Sequence, residues 1–294
     1  MISEALIKRA VENILSRRLA DGGFAQRPGG EFRADATAWS IRSIDKYTAS
    51  SQTVENACRL LASIQLPSGR VPVTKSNPAA YWPTPLAILA WKKAGGFNRE
   101  IELSANFLLT TSGLPFKKKD DSFGGHDTEL KAWSWVENTH SWIEPTAMAM
   151  LALSSTGSDK HDRFQEAIHM MLDRQLPSGG WNYGNTTVFS RELLPMPEYS
   201  GQALCALSGY AQAQQVLKSI EYAKDQLPNL ITPLSLCWCI FGLKAWSVDL
   251  KDVRKRVLIC LSLQERFGAY GTTFLAQLVL AYVSNGDFIG FLSN

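Results

Sequence analysis

The chain has 294 residues, 45% of them hydrophobic, and a formal net charge of +3. This charge is too small to favour a nucleic acid partner, and five cysteines, an odd number, do not predict a disulfide framework. Residues 1–20 carry charge throughout and are unlike a signal peptide, so we expect a cytoplasmic protein. Attachment of the protein to a membrane surface is left as an alternative.

Two kinds of helix alternate along the sequence. Amphipathic helices, with apolar residues at three- and four-residue spacing, are predicted to begin near Ser3, Thr53, Ile101, Asp162, Gln212 and Asp252. Helices that are apolar on nearly every side are predicted to begin near Asp35, Trp82, Glu144, Tyr199, Thr232 and Gly271. The second kind must be enclosed, and none reaches the roughly 18–20 residues that span a bilayer.

A short glycine-bearing motif recurs between the two helices of each pair. Its clearest copies are Gln175–Trp181 and Gln65–Arg70, with weaker copies near residues 21, 121, 226 and 264. The average spacing of about 50 residues is typical of repeat architectures. Six such pairs predict an all-α fold: an (α/α)6 toroid of six inner and six outer helices, with residues 1–294 as one domain.

Long loops are expected at one rim of this toroid. The connections from outer to inner helices are long, at roughly 22–34, 66–82, 113–142 and 178–198, and the others are short. Six inner-helix N-termini would face the same rim and favour an anionic group. Basic residues of these loops add charge: Arg27, Arg33, Arg70, Lys75, Lys117, Lys118, Lys119 and Arg191. For Lys117–Lys119 the alternative interpretation is that the three lysines are simply exposed to solvent.

Aromatic residues gather at this mouth and along the inner helices. A tryptophan face stabilises a cation by about 0.5–2 kcal/mol and forms an apolar wall, although indole also stacks on sugars. The predicted ligand-binding residues are Trp39, Tyr81, Trp82, Trp133, Trp135, Trp142, Tyr199, Trp238 and Tyr270. Trp91, Trp181 and Trp246 are predicted to be packing residues.

The motif at Gln175–Trp181 has the Gln-x-x-x-Gly-x-Trp form of the repeats in squalene–hopene and oxidosqualene cyclases. Ser141–Leu153 and Gly179–Gly184 are similar to segments of small bacterial proteins with such repeats. Over its full length the chain therefore resembles the prenyltransferase/squalene cyclase repeat superfamily. The resemblance implies the toroid fold, a prenyl-type ligand, and a role for Gln175 and Trp181 in tying outer helices to the next inner helix.

The chain departs from that family at the catalytic acid. Cyclases that protonate an alkene carry Asp-x-Asp-Asp-Thr-Ala, whose middle aspartate is the acid. The nearest matches are Arg33–Ala38 and Trp142–Ala147, which place Asp35 and Glu144 at that position without the acidic neighbour.

Metal-binding patterns of the superfamily are incomplete here. The Asp-x-Cys pair of zinc-dependent prenyltransferases is missing at Cys205 and Cys237, and Asp120–Asp121 lacks the further acid of a magnesium motif. We expect no metal and no cofactor. Cys205, Cys237 and Cys239 are predicted to fill close helix contacts.

Glu144 is the predicted acid, with Asp35 as the second candidate. Burial among aromatic walls raises the pKa of a carboxyl group, and His140, four residues earlier, is placed to hold or reprotonate Glu144. The alternative is that Glu144 and Asp35 merely cap their helices, with Arg33 as the partner of Asp35.

These residues predict acid-initiated cyclisation or rearrangement of an isoprenoid-type substrate, which is the work of a cyclase-type isomerase. The ligand is expected to be small and apolar or prenyl-type, with an anionic head group as an option. Three alternatives stay open: a non-catalytic module that binds a lipid-like or prenyl ligand, a prenyltransferase-like protein, and a carbohydrate-active toroid. In the last of these, Glu144 and Asp35 would form an acid–base pair.

Overall fold

The computed structural model describes residues 2–44, 51–117 and 125–293, and these are mainly helical. In chain order the helices are α1 (Ile2–Leu15), α2 (Ala34–Ile44), α3 (Ser51–Ser63), α4 (Pro83–Ala94), α5 (Asn98–Thr110), α6 (Ile143–Ser155), α7 (Asp162–Asp173), α8 (Pro197–Leu207), α9 (Ala213–Gln226), α10 (Pro233–Ala245), α11 (Val253–Ser262), α12 (Gln264–Phe267), α13 (Thr272–Val283) and α14 (Phe288–Ser293). The twelve predicted helices all form, and each begins at or within a few residues of its predicted start.

Six helices form a closed inner ring. In the order α2, α4, α6, α8, α10 and α13, each packs against the next, and α13 packs against α2. Each outer helix from α3 to α11 packs on two successive inner helices, because its apolar stripe must be covered on both sides. The predicted (α/α)6 toroid is confirmed.

The ring is fastened where its last helix meets its first loop. Arg17 Nη1 donates hydrogen bonds to the Gln26 carbonyl and to Thr272 Oγ1, both at 3.2 Å. The Thr272 backbone N–H donates to the same Gln26 carbonyl at 3.0 Å. The bond between Arg17 and Thr272 joins residues that are 255 positions apart in sequence, so closure does not rest on apolar packing alone.

The contact between α8 and α10 is made by two glycines. A Cβ atom on Gly201 would lie 2.2 Å from the Trp238 carbonyl oxygen, and one on Gly242 would lie 2.6 Å from the Gly201 carbonyl oxygen. Only glycine lets the two backbones approach this closely. Cys205, Cys237 and Cys239 are buried nearby, as expected of small fillers, but the closest approach belongs to the glycines.

The glutamines of the repeat motif join successive outer helices. Gln65 Nε2 donates to Ser104 Oγ on α5 at 2.8 Å, and Gln175 Nε2 donates to Ser219 Oγ on α9 at 2.6 Å. The expectation that Gln175 reaches the next inner helix is therefore wrong. The bond is to the next outer helix, because the loop after α7 turns under α9 before it enters the ring.

Hydroxyl groups make the link to the inner helices instead. Trp181 Nε1 donates to the Met171 carbonyl of its own outer helix at 2.7 Å, whereas the Trp181 backbone N–H donates to Ser200 Oγ on α8 at 2.9 Å. The same type of backbone-to-hydroxyl bond occurs at three other inner helices, through Thr37, Thr84 and Thr146.

The long loops form a belt around one rim. The connections 16–33, 64–82, 111–142 and 174–196 all lead from outer to inner helices. Neighbouring parts of the belt are hydrogen-bonded through backbone groups: Ala34 N to Val73 O, Tyr81 N to Trp135 O, and Ile143 N to Tyr183 O. The prediction of one loop-bearing rim is confirmed. Within the described ranges, the sheet structure is limited to a hairpin of β1 (Thr187–Val188) and β2 (Arg191–Glu192) in the last of these loops.

Helix α14 closes the other end of the ring. It contacts α4 and α10, which lie on different sides of the axis. Phe288 at its start packs on Trp39, Trp238 and Phe241, with ring centroids 6.1, 5.4 and 4.9 Å apart. The central cavity therefore opens towards the loop belt. Among the described residues no helix combines the length and the apolar character needed to cross a bilayer.

Candidate active site in the central cavity

A cavity of about 210 Å³ lies on the axis of the ring, and all six inner-helix segments line it. Its residues fall into two layers that are one helical turn apart. The mouth layer contains Asp35, Trp82, Glu144, Leu234 and Thr273. Four positions further along each chain segment lie the floor residues Trp39, Leu86, Met148, Trp238 and Gln277, joined by Gln202. This spacing follows from helix geometry, because residues i and i+4 share a face.

Glu144 is a partly buried acid at the mouth, in the first turn of α6. Trp135 Nε1 donates a hydrogen bond to Glu144 Oε2 at 3.0 Å. Burial raises the pKa of Glu144, the Trp135 bond lowers it, and the nearby negative charge of Glu198 raises it, with burial the largest effect. None of the ion pairs found among the described residues involves Glu144.

The cap alternative for Glu144 finds no support in the local geometry. The N-cap of α6 is Trp142, and no side chain accepts a capping hydrogen bond there. Glu144 is instead the second residue of the helix, with its carboxyl group turned to Trp135 and the cavity.

Asp35 lines the same cavity but has a counter-ion. Arg33 Nε donates to Asp35 Oδ1 at 2.8 Å, and Arg33 Nη2 to Oδ2 at 3.2 Å. Gln26 Nε2 donates to Oδ2 at 2.8 Å. Asp35 is 6% exposed, whereas the Arg33 side chain is 38% exposed, so the carboxyl group is buried and its counter-ion reaches the solvent. The two cavity carboxyls are thus chemically unlike.

His140 is not brought to Glu144. It is exposed, and its Nδ1 lies 2.9 Å from the Leu114 carbonyl oxygen, to which it must donate. Its ring packs on Phe116 at 4.6 Å between centroids. Together with Trp142, it lines a second cavity of about 220 Å³ beside the hairpin loop. The group that holds Glu144 is Trp135.

The predicted aromatic residues divide into those at the cavity and those elsewhere. Trp39, Trp82 and Trp238 line the central cavity, with Trp39 and Trp238 edge to face at 6.1 Å. Trp135 stacks on Trp142 at 5.4 Å, so the Glu144 partner is itself backed by an aromatic ring.

Tyr199 lies near two acids. Burial, Glu144 and Glu198, in that order, raise the pKa of Tyr199 to about 12. Glu198 accepts a hydrogen bond from Ser235 Oγ at 2.7 Å. By the register of α8, Glu198 is one turn above Gln202, so it belongs to the mouth end of the ring.

Six of the nine predicted ligand-binding residues do not line the central cavity: Trp135, Trp142 and Tyr199, described above, and the three described next. Trp133 is fully buried, and its Nε1 donates to the Leu108 carbonyl of the outer helix α5 at 2.8 Å. Trp181 makes the same kind of bond to a carbonyl of α7. The Tyr270 hydroxyl donates to the Cys260 carbonyl at 3.0 Å. Tyr81 packs edge to face on Phe107 at 5.1 Å. All three serve packing between helices and loops.

Sequence reasoning missed most of the floor. Leu86, Met148, Gln202 and Gln277 were not singled out, and neither was Glu198 at the mouth. A signal for the floor exists: each of these four residues lies four positions after a mouth position of its inner helix.

The basic residues of the rim are partly neutralised. Arg33 is paired with Asp35, and Arg70 Nη1 lies 3.2 Å from Glu137 Oε2. Lys118 and Lys119 lie outside the described residues, as do Asp120 and Asp121. In the part of the chain that is described, no group of three or more His, Cys, Asp or Glu side chains is arranged to hold a metal ion.

No protein-family model matches the chain, and no curated protein sequence matches it. Solved structures do match in fold. The type II terpene cyclase MstE from Scytonema has 14% identity and a TM-score of 0.63, over 96% of this chain and 97% of that one. MstE in complex with its substrate geranylgeranyl dihydroxybenzoate has 14% identity and a TM-score of 0.61, over 92% and 81% of the two chains.

An α-1,6-mannanase, GH76A of Salegentibacter sp., in complex with α-1,6-mannotetrose, matches with 15% identity and a TM-score of 0.63, over 96% of this chain and 98% of that one. At such identities the similarity concerns the fold. The chain has the α/α toroid fold that the terpene cyclase and the mannanase share, as the repeat motif implied.

Proposed function

We propose that this protein is a terpene cyclase-like isomerase in which Glu144 protonates an alkene of an isoprenoid substrate. The observation that carries the proposal is the contrast between the two cavity carboxyls. Asp35 is ion-paired, whereas Glu144 has no cationic partner among the described residues, has a raised pKa and lines a cavity with three tryptophans. A carboxyl group whose pKa is raised in this way holds its proton to higher pH and is better suited to act as an acid than an ion-paired carboxylate.

The proposed chemistry balances within the substrate and Glu144. The Glu144 O–H proton adds to one alkene carbon, the π electrons form the new C–H bond, and a carbocation remains on the other carbon. A second double bond attacks that cation and closes a ring. A proton then leaves the cyclised cation, and Glu144 regains a proton through the open mouth.

The surroundings of Glu144 suit each of these steps. Trp39, Trp82 and Trp238 line an enclosed site, where aromatic rings stabilise a cation, and the Arg42 and Arg33 guanidinium groups already lie over the rings of Trp39 and Trp82 at 5.8 and 5.9 Å. After proton transfer, the Trp135 N–H remains in place to hold the Glu144 carboxylate. Trp135, and not His140, therefore positions Glu144, and solvent rather than His140 returns the proton to Glu144.

The cavity size favours a short substrate. Its volume of about 210 Å³ is below the roughly 300–1,000 Å³ of pockets for drug-sized ligands. A ten-carbon isoprenoid, or one segment of a longer chain that extends through the mouth, suits this volume. The isoprenoid class itself is carried over from the terpene cyclase MstE, which shares the fold.

A carbohydrate-active toroid is the second candidate, because a mannanase shares the fold and because two carboxyls line the cavity. An acid and base pair for glycoside hydrolysis needs both carboxyls to be available. The ion pair between Asp35 and Arg33 occupies one of them, which places this candidate second.

The test compares Glu144→Gln with Asp35→Asn. Each protein is incubated with geraniol, with farnesol and with an α-1,6-linked mannooligosaccharide, and products are analysed by gas or liquid chromatography with mass spectrometry. We expect cyclic products of an isoprenoid from the unaltered protein, and a loss of about 100- to 10,000-fold in Glu144→Gln, the usual contribution of a general acid. Asp35→Asn should retain activity.

Three results would count against the proposal. Full activity of Glu144→Gln would remove the acid. Sugar release without isoprenoid turnover would establish the carbohydrate candidate. Tight isoprenoid binding without any product would identify a binding module.

A further inference from the structure

The floor of the central cavity contains two carboxamide side chains among otherwise apolar residues. Gln202 on α8 and Gln277 on α13 are 2% and 3% exposed. Both line the cavity with Trp39, Met148 and Trp238. The Oε1 atom of each glutamine is buried and has no hydrogen-bond donor within the described residues.

Partly buried glutamines elsewhere in this fold have hydrogen-bond partners. Gln65 and Gln175, the glutamines of the repeat motif, each donate to a serine on the next outer helix. A buried polar group without a partner lowers stability, because it loses its hydrogen bonds to water and gains none. Leucine would fill the positions of Gln202 and Gln277 without that loss. A polar group of a molecule bound in the cavity would supply the hydrogen bonds that these two amides lack.

The chemistry of the floor defines the group that complements it. A carboxamide donates through Nε2 and accepts through Oε1, and it carries no charge. Among the described residues no Lys or Arg lines the cavity, whose charged residues are the acids Asp35 and Glu144. The buried Arg42 lies over the Trp39 ring at 5.8 Å but does not line the cavity. A phosphate or diphosphate would thus meet two carboxyls at the mouth and no cation in the cavity lining. A neutral hydroxyl, which both donates and accepts, is complementary to a carboxamide.

We infer that Gln202 and Gln277 bind a hydroxyl group at the inner end of the substrate, so that the substrate class is an isoprenoid alcohol which enters hydroxyl first. This inference rests on the proposed function. The mouth layer is four residues above the floor, a rise of about 6 Å along a helix. An isoprenoid alcohol held in this way extends its distal alkene towards Glu144.

The experiment measures binding, not turnover. The full chain is titrated with geraniol and with 2,6-dimethylocta-2,6-diene, the hydrocarbon that has the same skeleton without the hydroxyl. Quenching of tryptophan fluorescence reports occupation of a cavity lined by Trp39, Trp82 and Trp238. The variants are Gln202→Leu, Gln277→Leu and the double variant. Met171→Leu is the control, since it alters a buried apolar residue of the outer helix α7, outside the cavity lining.

The unaltered protein and Met171→Leu should bind geraniol about tenfold more tightly than the hydrocarbon, the ratio expected when hydrogen bonds are gained by one ligand alone. The double variant should bind both equally. In addition, each Gln→Leu variant without ligand should melt a few degrees above the unaltered protein, because an unpaired buried amide has been removed.

The possible failures are distinguishable. Equal binding of the two probes by the unaltered protein, or a tenfold preference that survives in the double variant, would overturn the hydroxyl assignment and leave the isoprenoid function standing. A Gln→Leu variant that melts at a much lower temperature than the unaltered protein, or does not fold, would show that the amide has a structural partner. This result would also overturn the hydroxyl assignment. If neither probe binds, the isoprenoid function fails and this inference fails with it.

Discussion

Replacement of Glu144 by glutamine should make the protein more stable at neutral pH. Glutamine keeps an acceptor for the Trp135 N–H, which lies 3.0 Å from Glu144 Oε2, and it keeps the side-chain size. It removes a carboxylate that is partly buried, lacks a cation and is repelled by Glu198. If Glu144 were only a favourable first-turn carboxylate, the same change would cost up to about 1 kcal/mol. The two interpretations therefore predict opposite signs.

The pH dependence follows from the raised pKa of Glu144. Between the unfolded-state pKa of about 4.3 and the higher folded-state pKa, the folded protein binds more protons than the unfolded one. The contribution of this group to the free energy of unfolding therefore falls as the pH rises from the unfolded-state pKa to the folded-state pKa. Above the folded-state pKa the contribution stays at its lower value. Below about pH 4 the carboxyl is protonated in both states and costs nothing.

We expect the free energy of unfolding of Glu144→Gln to be about 1–2 kcal/mol higher than that of the unaltered protein at pH 7.5. This is the usual cost of a buried polar group whose hydrogen bonding is incomplete. At roughly 2–4 °C per kcal/mol for a chain of this size, the melting temperature should rise by about 2–8 °C. The gain should vanish near pH 4. Calorimetric melting curves from pH 4 to 8 measure both quantities. Glu137→Gln, at the exposed ion pair with Arg70, is the control and should change stability by less than about 1 kcal/mol. A Glu144→Gln protein that melts lower at pH 7.5 would refute this account of the carboxyl.

Three further predictions concern the support of the site. Trp135→Phe keeps the stack on Trp142 but removes a bond that lowers the pKa of Glu144, so activity that needs the protonated acid should persist to higher pH; an unmoved pH–rate profile would contradict this. Gln175→Leu should lower the free energy of unfolding by about 1–3 kcal/mol in urea titrations, and the loss should not add to that of Ser219→Ala. Gly201→Ala should cost about 1–3 kcal/mol or more, since its Cβ would lie 2.2 Å from the Trp238 carbonyl; an unchanged melting temperature would show that α8 and α10 separate easily.

The ring could be predicted because its signal is repeated. Helices apolar on all sides alternate with amphipathic ones, and the glycine-bearing motif marks each outer-to-inner loop. An enclosed helix has no unique apolar stripe, however, so the sequence does not tell which face of α6 or α10 is turned to the axis. Glu144 was found through its resemblance to the cyclase motif, whereas Gln202 and Gln277 were not found.

The errors at the site have a common physical cause. Trp133 and Trp142 are nine residues apart and both lie near the rim, but one indole is buried against α5 while the other lines the second cavity. His140 is close to Glu144 in sequence, yet its hydrogen bond is to the Leu114 carbonyl of the same long loop. The direction of a side chain in a loop depends on backbone hydrogen bonds that distance along the chain does not reveal.

The central claim is that Glu144 places a proton on a substrate carbon. The most direct measurement is the incubation of the protein with geraniol in D2O, followed by mass spectrometry of the product for carbon-bound deuterium. The account predicts one deuterium per molecule of cyclic product from the unaltered protein and from Asp35→Asn, and no such product from Glu144→Gln. Cyclic product without deuterium, or the same labelled product from Glu144→Gln, would contradict it.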